Sequence, residues 1–172
     1  MKRTDLKLEE FNPYYSLYID KVDSNRELME ALEKGKAETI AFFTQIPEDK
    51  LEYSYAQGKW TPKEVLLHLI DTERIFSYRA LRSSRKETVN LPGFEQDDYV
   101  INSNASSRNM HSLLREYSAV RESTITLYEN LTNKQLKHLG MGSGSAFSAR
   151  ALGFINAGHE IHHIQILEER YL

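Results

Sequence analysis

The stretch from Ser148 to Leu172 constrains the fold more than any other part of the chain. Ser148 is a good helix N-cap residue, and Leu152, Phe154, Ile155, Ile161, Ile164, Ile166 and Leu167 follow it on most faces of one long helix. A helix that is apolar nearly all round must be buried among other helices. The fold therefore needs partners long enough to cover it.

The rest of the chain offers three. Ser24 with Glu27 reads as a capping box opening a helix that carries Met29, Leu32, Ile40 and Phe43. Ile46-Pro47 closes it, because the residue before a proline is pushed out of the α region. Thr61-Pro62-Lys63-Glu64 is a clearer start, with an N-cap threonine, proline at the first helical position and glutamate completing the box. Trp60 can staple onto Val65, and Leu69, Thr72, Phe76 and Ala80 continue the stripe. A third helix begins near Ser106 or Ser107 and carries Met110, Leu113, Leu114, Tyr117, Val120, Leu127, Tyr128 and Leu131. Thr132 with Gln135 caps a short turn that stops at Gly140, and Gly142-Ser143-Gly144-Ser145 reads as a flexible loop. No strand-like alternation of any length is visible. The expectation is all-α: a four-helix bundle forming one domain over residues 1–172, with a long connection, 84–105, that suits a crossover. That connection holds Phe94, Asp97, Asp98 and Tyr99 and is the candidate lid over a substrate, since connections of this length are usually functional or disordered. The aromatic first twenty residues, with Tyr14, Tyr15 and Tyr18, read as an arm packed on the core or as a dimer contact.

Composition closes several routes. Lys and Arg number 22 against 25 Asp and Glu, a net charge of -3, which argues against nucleic acid as a partner. No apolar run approaches the roughly 18 residues of a membrane helix. The Met1-Lys2-Arg3-Thr4-Asp5-Leu6 start lacks the apolar core of a signal peptide, so a cytoplasmic protein is expected. There are six histidines and no cysteine. Disulfides, thiolate catalysis and cysteine-based metal sites are thereby excluded, and metal or acid–base chemistry falls to histidine and carboxylates.

Three of the histidines share one setting. His159 and His163 are four residues apart in the last helix, on the stripe of Leu152, Ile155 and Ile166, so their rings stand on one face about 6 Å apart. His68 lies one turn beyond Val65 on the apolar face of the Thr61 helix. Burying three imidazoles without partners costs a few kcal/mol each. A shared metal ion with His68, His159 and His163 as ligands relieves that cost. The string His159-Glu160-Ile161-His162-His163 also matches the H-E-x-x-H of zinc proteases. No histidine lies beyond His163, however, and Glu168 and Glu169 sit on the same helix and cannot swing back, so the protease reading fails. A di-iron centre fails as well, because bridging glutamates are not apparent on the inward stripes. Glu160 is the candidate catalytic residue, although it points about 100° away from His159, toward another helix or solvent. His162 reads as a surface or interface residue, and His111 and His138 are given no role.

Taken together, these motifs carry a family resemblance. Trp60-Thr61-Pro62-Lys63-Glu64-Val65-Leu66-Leu67-His68-Leu69-Ile70-Asp71 resembles the second-helix motif of the DinB-like and YfiT-like metal-binding superfamily. Leu91-Pro92-Gly93-Phe94-Glu95-Gln96-Asp97-Asp98 resembles the loop after it, and Gly158-His159-Glu160-Ile161-His162-His163 resembles the closing segment with its two histidine ligands. The likeness spans nearly the whole chain in the right order. It implies an up-down-down-up bundle, one divalent metal on His68, His159 and His163 (zinc or nickel, with iron or manganese as alternatives), and a homodimer. It also implies a small-molecule substrate, processed by a low-molecular-weight-thiol S-transferase of the bacillithiol or mycothiol kind, or by a hydrolase. A metal- or ligand-binding bundle without turnover is the alternative. Any reactive sulfur has to arrive as cosubstrate, since the chain has none of its own beyond methionine.

Overall fold

Thr61 and Ser148 start the two helices that carry the histidines. In the computed structural model, which describes residues 1–172, the Thr61 hydroxyl accepts the Glu64 N–H while the Glu64 carboxylate accepts the Thr61 N–H at 2.7 Å. Helix α3 is Pro62–Ser84. Ser148 accepts the Ala151 N–H at 3.1 Å and opens α6, Ala149–Arg170. The other long helices are α2, Leu28–Gln45, and α5, Met110–Glu129; two short ones, α1 (Ser16–Ile19) and α4 (Gln96–Ile101), lie before α2 and after α3. Helices α2 and α3 each pack on both α5 and α6. Neighbours in sequence are thus not the neighbours in broadest contact. Every residue of α6 from Ala149 to Glu160 is buried, while the rest of the helix, apart from Leu167, is partly covered or exposed. No helix is long and apolar enough to cross a membrane.

Three expectations from the sequence are corrected. Helix α2 starts at Leu28, not near Ser24, because residues 23–27 are engaged elsewhere: Arg26 N–H donates to Asp23, Glu27 pairs with Lys2, and Leu28 N–H donates to Met1. Helix α5 starts at Met110, with Asn109 accepting the Ser112 N–H at 2.8 Å; Ser107 instead ends a turn begun at Asn104. A small sheet is also present. Strand β1, Asn90–Leu91, runs parallel to β2, Leu139–Gly142, and β2 pairs antiparallel with β3, Ser145–Ser148. The Gly-Ser-Gly-Ser segment is therefore a hairpin turn. Ser143 and Gly144 have φ of 51° and 75°, the two positive values that a type I′ hairpin requires. The 84–105 connection is tied to the body through β1, which pairs with β2, and through Phe94, which packs against the main hydrophobic core.

Two glycines set how closely elements approach the site. At Gly158 a Cβ would overlap the carbonyl of Tyr18, so its absence lets α1 lie directly on α6 beside His159. At Gly35 a Cβ would overlap the Glu160 carboxylate. Glycine-to-alanine changes inside helices ordinarily stabilise by about 1 kcal/mol. Gly35→Ala is expected to do the opposite and destabilise by about 1–3 kcal/mol, because Glu160 is pinned and cannot move aside. Urea unfolding of the variant measures this.

Candidate metal centre

Helix α3 brings His68, and α6 brings His159 and His163, to one point. The Nε2 atom of His159 lies 3.1 Å from that of His68 and 3.0 Å from that of His163, and all three rings offer a nitrogen within 4.8 Å of one another. Aromatic rings hold the imidazoles in place: Trp60 stands 4.7 Å from His68 and is stacked with His163, while Tyr18 meets His159 edge-on at 5.0 Å. The Trp60 staple thus also orients ligands. Tyr18 comes from the aromatic amino-terminal segment, which packs on the core here.

Burial controls the charge of the cluster. It holds His68 down at about 4, and it holds His163 at about 3 with further repulsion from His68 and His162. His159 is pushed well below its ordinary value by burial and by repulsion from His163, His68 and His162. All three rings are neutral near pH 7, and a neutral imidazole is the form that binds metals. The His159 Nε2 carries either one proton or one lone pair, so it cannot satisfy both neighbours. One divalent ion would accept a lone pair from each ring. Imidazoles ~2.1 Å from a common ion place their nitrogens roughly 3–3.5 Å apart, and the His68–His159 and His159–His163 separations fall in that range. The residues present fit a three-histidine metal site.

The same shifts have a consequence for stability. In the unfolded chain these histidines take a proton near pH 6.5; in the fold burial lowers all three, His68 to about 4 and His163 to about 3. As pH falls through that window the unfolded state binds more protons, so stability is full above pH 6.5 and declines below it. Metal-free protein is expected to lose about 1.5 kcal/mol through His68 alone between pH 6.5 and 5. Urea unfolding at the two pH values, with His68→Gln as the control whose pH slope is shallower, measures the effect.

A cavity of about 250 Å³ opens beside His68 and His159, walled by Tyr14, Tyr15, Phe76 and Phe94. Another of about 340 Å³ touches His163 and Asp97, and Gln96 lines both. The 84–105 segment therefore supplies cavity wall through Phe94, Gln96 and Asp97. Asp98 lines neither cavity, and Tyr99 belongs to a third one beside Arg79.

Glu160 is the main correction to the expected site. Its oxygens accept Arg121 Nη1 at 3.2 Å, Arg121 Nη2 at 2.7 Å and the Tyr117 hydroxyl at 2.7 Å, all buried and outside the histidine cavity. Burial pushes the Glu160 carboxyl up, against the pull of the Arg121 charge. With both oxygens engaged by Arg121 and Tyr117 in the core, Glu160 lines neither cavity beside the histidines and does not face a substrate there. Glu73, on α3, is the second inward acid that the stripe reading overlooked. It takes Arg121 Nε at 2.7 Å and Nη2 at 3.0 Å. The two acids are matched to an arginine, not to a second metal. Arg121 itself could have been found, since it is a charge four residues after Tyr117 in an apolar stripe. His162 is half-buried against Tyr18 at 5.2 Å, and Nδ1 of His138 meets the Ser84 carbonyl at 3.3 Å. Neither joins the cluster.

Comparison with known proteins finds a matching family and solved structures of similar fold. The family model described as the DinB superfamily matches residues 31–167. Among solved structures, YfiT from Bacillus subtilis, described as a probable metal-dependent hydrolase with an unusual four-helix bundle topology, is similar with a TM-score of 0.72. Its identity is 16%, covering 95% of this chain and 89% of that one. A mycothiol-dependent maleylpyruvate isomerase is similar with a TM-score of 0.67 and 11% identity, covering 96% of this chain. This chain spans 62% of that isomerase. No curated protein matches by sequence. At these identities the likeness to solved structures speaks for the shared fold.

Proposed function

The chain belongs to the DinB superfamily, and on that footing we propose that it is a metal-dependent enzyme acting on a small molecule, with His68, His159 and His163 as ligands of one divalent ion. The observation that carries the reading is the convergence of three neutral, buried imidazole nitrogens on one point at the wall of a cavity. Three protein ligands leave positions open, as catalytic sites do. Held by these three histidines, a divalent ion would supply Lewis acidity and would lower the pKa of a water or thiol bound to it. Zinc and nickel suit an all-imidazole set, and iron or manganese are the alternatives.

Of the two reactions open to such a centre, we favour transfer of a low-molecular-weight thiol over hydrolysis. Hydrolysis profits from a general base within hydrogen-bond reach of the attacking water. Glu160 is committed to Arg121, and the carboxylates lining the two cavities that reach the histidines, Glu95 and Asp97, are both exposed and open to solvent. A thiol needs no such base once its proton is lost. Trp60 and Tyr18 orient the histidines, and Tyr14, Tyr15, Phe76 and Phe94 exclude water from the reacting group. We read residues 1–172 as one domain with the up-down-down-up crossover of the family, working as a homodimer in the cytoplasm.

The test is consumption of an electrophile such as monobromobimane by zinc- or nickel-loaded protein, with and without bacillithiol or mycothiol. A thiol-dependent rate more than about tenfold above the water-only rate is expected. Turnover of ester substrates in water alone, without thiol dependence, points instead to the hydrolase. Failure of both across a broad panel leaves a binding bundle without turnover.

A further inference from the structure

Three arginines are buried in this protein: Arg79, Arg121 and Arg150. Arg121 is matched by Glu73 and Glu160, and Arg150 by Glu10. Arg79, 4% exposed, has no carboxylate within salt-bridge distance. Its guanidinium is held by one nitrogen, Nη2, which donates to the Pro92 carbonyl at 2.8 Å and to the Ser143 hydroxyl at 3.1 Å. Nε and Nη1 make no hydrogen bond within the protein. A buried charge without a counter-charge is costly and calls for a partner.

Its position says where that partner sits. Arg79 follows His68 by eleven residues on α3, which returns it to the same face about 16 Å further along the axis. His68, Thr72, Phe76 and Arg79 form one stripe along the wall of the 250 Å³ cavity. An adjoining cavity of about 150 Å³ shares Tyr14, Tyr15, Arg79 and Ser143 with it, so the guanidinium stands at their junction. Between the two ends, the Thr72 hydroxyl is buried and has no partner. The cavity is thus graded. Imidazole nitrogens occupy one end, an unpaired hydroxyl and aromatic walls the middle, and an unmatched cation the other end. Both volumes lie below the ~300–1,000 Å³ of drug-sized sites, which limits the occupant to a small molecule.

We propose that Arg79 is the anion-recognition residue of this cavity and that the ligand is a small carboxylic acid with an apolar or aromatic body. Its carboxylate meets the guanidinium and the Ser143 hydroxyl, and its opposite end reaches the histidines. A monoanion matches a single guanidinium, and the planar carboxylate suits its donor geometry. The assignment rests on the metal-centre reading only for what happens at the histidine end.

Chemical-shift titration of metal-free protein with hexanoate and with its uncharged isostere hexanamide tests the assignment, because without an ion the histidine end cannot capture the carboxylate. Hexanoate is expected to bind roughly tenfold to a hundredfold more tightly than hexanamide. Arg79→Gln should abolish the preference, and Arg79→Lys should restore part of it. Ser143→Ala, which leaves the buried charge in place, should weaken hexanoate severalfold and hexanamide not at all; it keeps the test sharp if Arg79→Gln folds poorly. Equal affinity for the two probes in the wild type, or a preference that survives Arg79→Gln, overturns the assignment. Zinc binding measured on the same samples reports separately on the three-histidine centre, of which Arg79 is not a part.

Discussion

Arg121→Met is expected to destabilise the protein by about 3–5 kcal/mol, the range found when one partner of a buried ion pair is removed. All five N–H bonds of Arg121 are used: two on Glu73, two on Glu160 and one on the Leu32 carbonyl. The side chain is 1% exposed and its two carboxylate partners 3% each. Methionine would leave both acids in the core without a counter-charge, so the loss belongs at the upper end of that range. For a chain of this length it corresponds to a melting temperature roughly 6–20 °C lower. The same logic separates the pairing from simple packing. Replacing Arg121, Glu73 and Glu160 together by apolar residues of similar volume should recover most of the stability, because no orphaned charge remains. Urea unfolding of the single and triple variants makes the comparison. If Arg121→Met were as stable as the wild type, the network would not be the internal tie among α2, α3, α5 and α6 that its hydrogen bonds describe. Glu160 also sits next to His159, so loosening this network should weaken metal binding as a secondary effect.

Removing His159 is expected to have the larger effect on metal binding. Its Nε2 is the atom shared by both short contacts in the cluster, while His68 and His163 meet through it. His159→Ala leaves two imidazoles on different helices, and a two-ligand site binds zinc far more weakly than a three-ligand one. The expected drop in affinity is on the order of a thousandfold or more, about 4 kcal/mol. Competition with a chromophoric chelator reads it. Folding should survive, since the metal-free rings are neutral and the variant removes a poorly satisfied polar group. Retention of wild-type affinity would move the site elsewhere.

Much of this arrangement could be read from the sequence, and the reason is local. The Thr61-Pro62-Glu64 box and the Ser148 cap are decided by residues within one turn of each other, so α3 and α6 begin where expected, and the i, i+4 spacing of His159 and His163 follows from helix geometry alone. The misses are non-local. Ser24 and Glu27 look like a capping box, yet their segment is engaged by Met1 and Lys2. The sheet is built from strands of two and four residues held together across the chain, too short for any alternation to appear. Ser143 looks like linker until its positive φ places it in a hairpin and its hydroxyl on Arg79. For Glu160, the one-residue offset from His159 correctly turns it away from the ligand face. What it turns toward depends on Arg121, thirty-nine residues upstream, which no local pattern links to it.

The most direct measurement is an anomalous difference map at the absorption edge of the bound metal, collected on crystals of protein purified without an affinity tag and saturated with zinc or nickel. One peak per chain is expected, in contact with His68, His159 and His163 and with no carboxylate among its protein ligands. A peak coordinated elsewhere, or no peak between these three imidazoles at saturating metal, would contradict the metal centre.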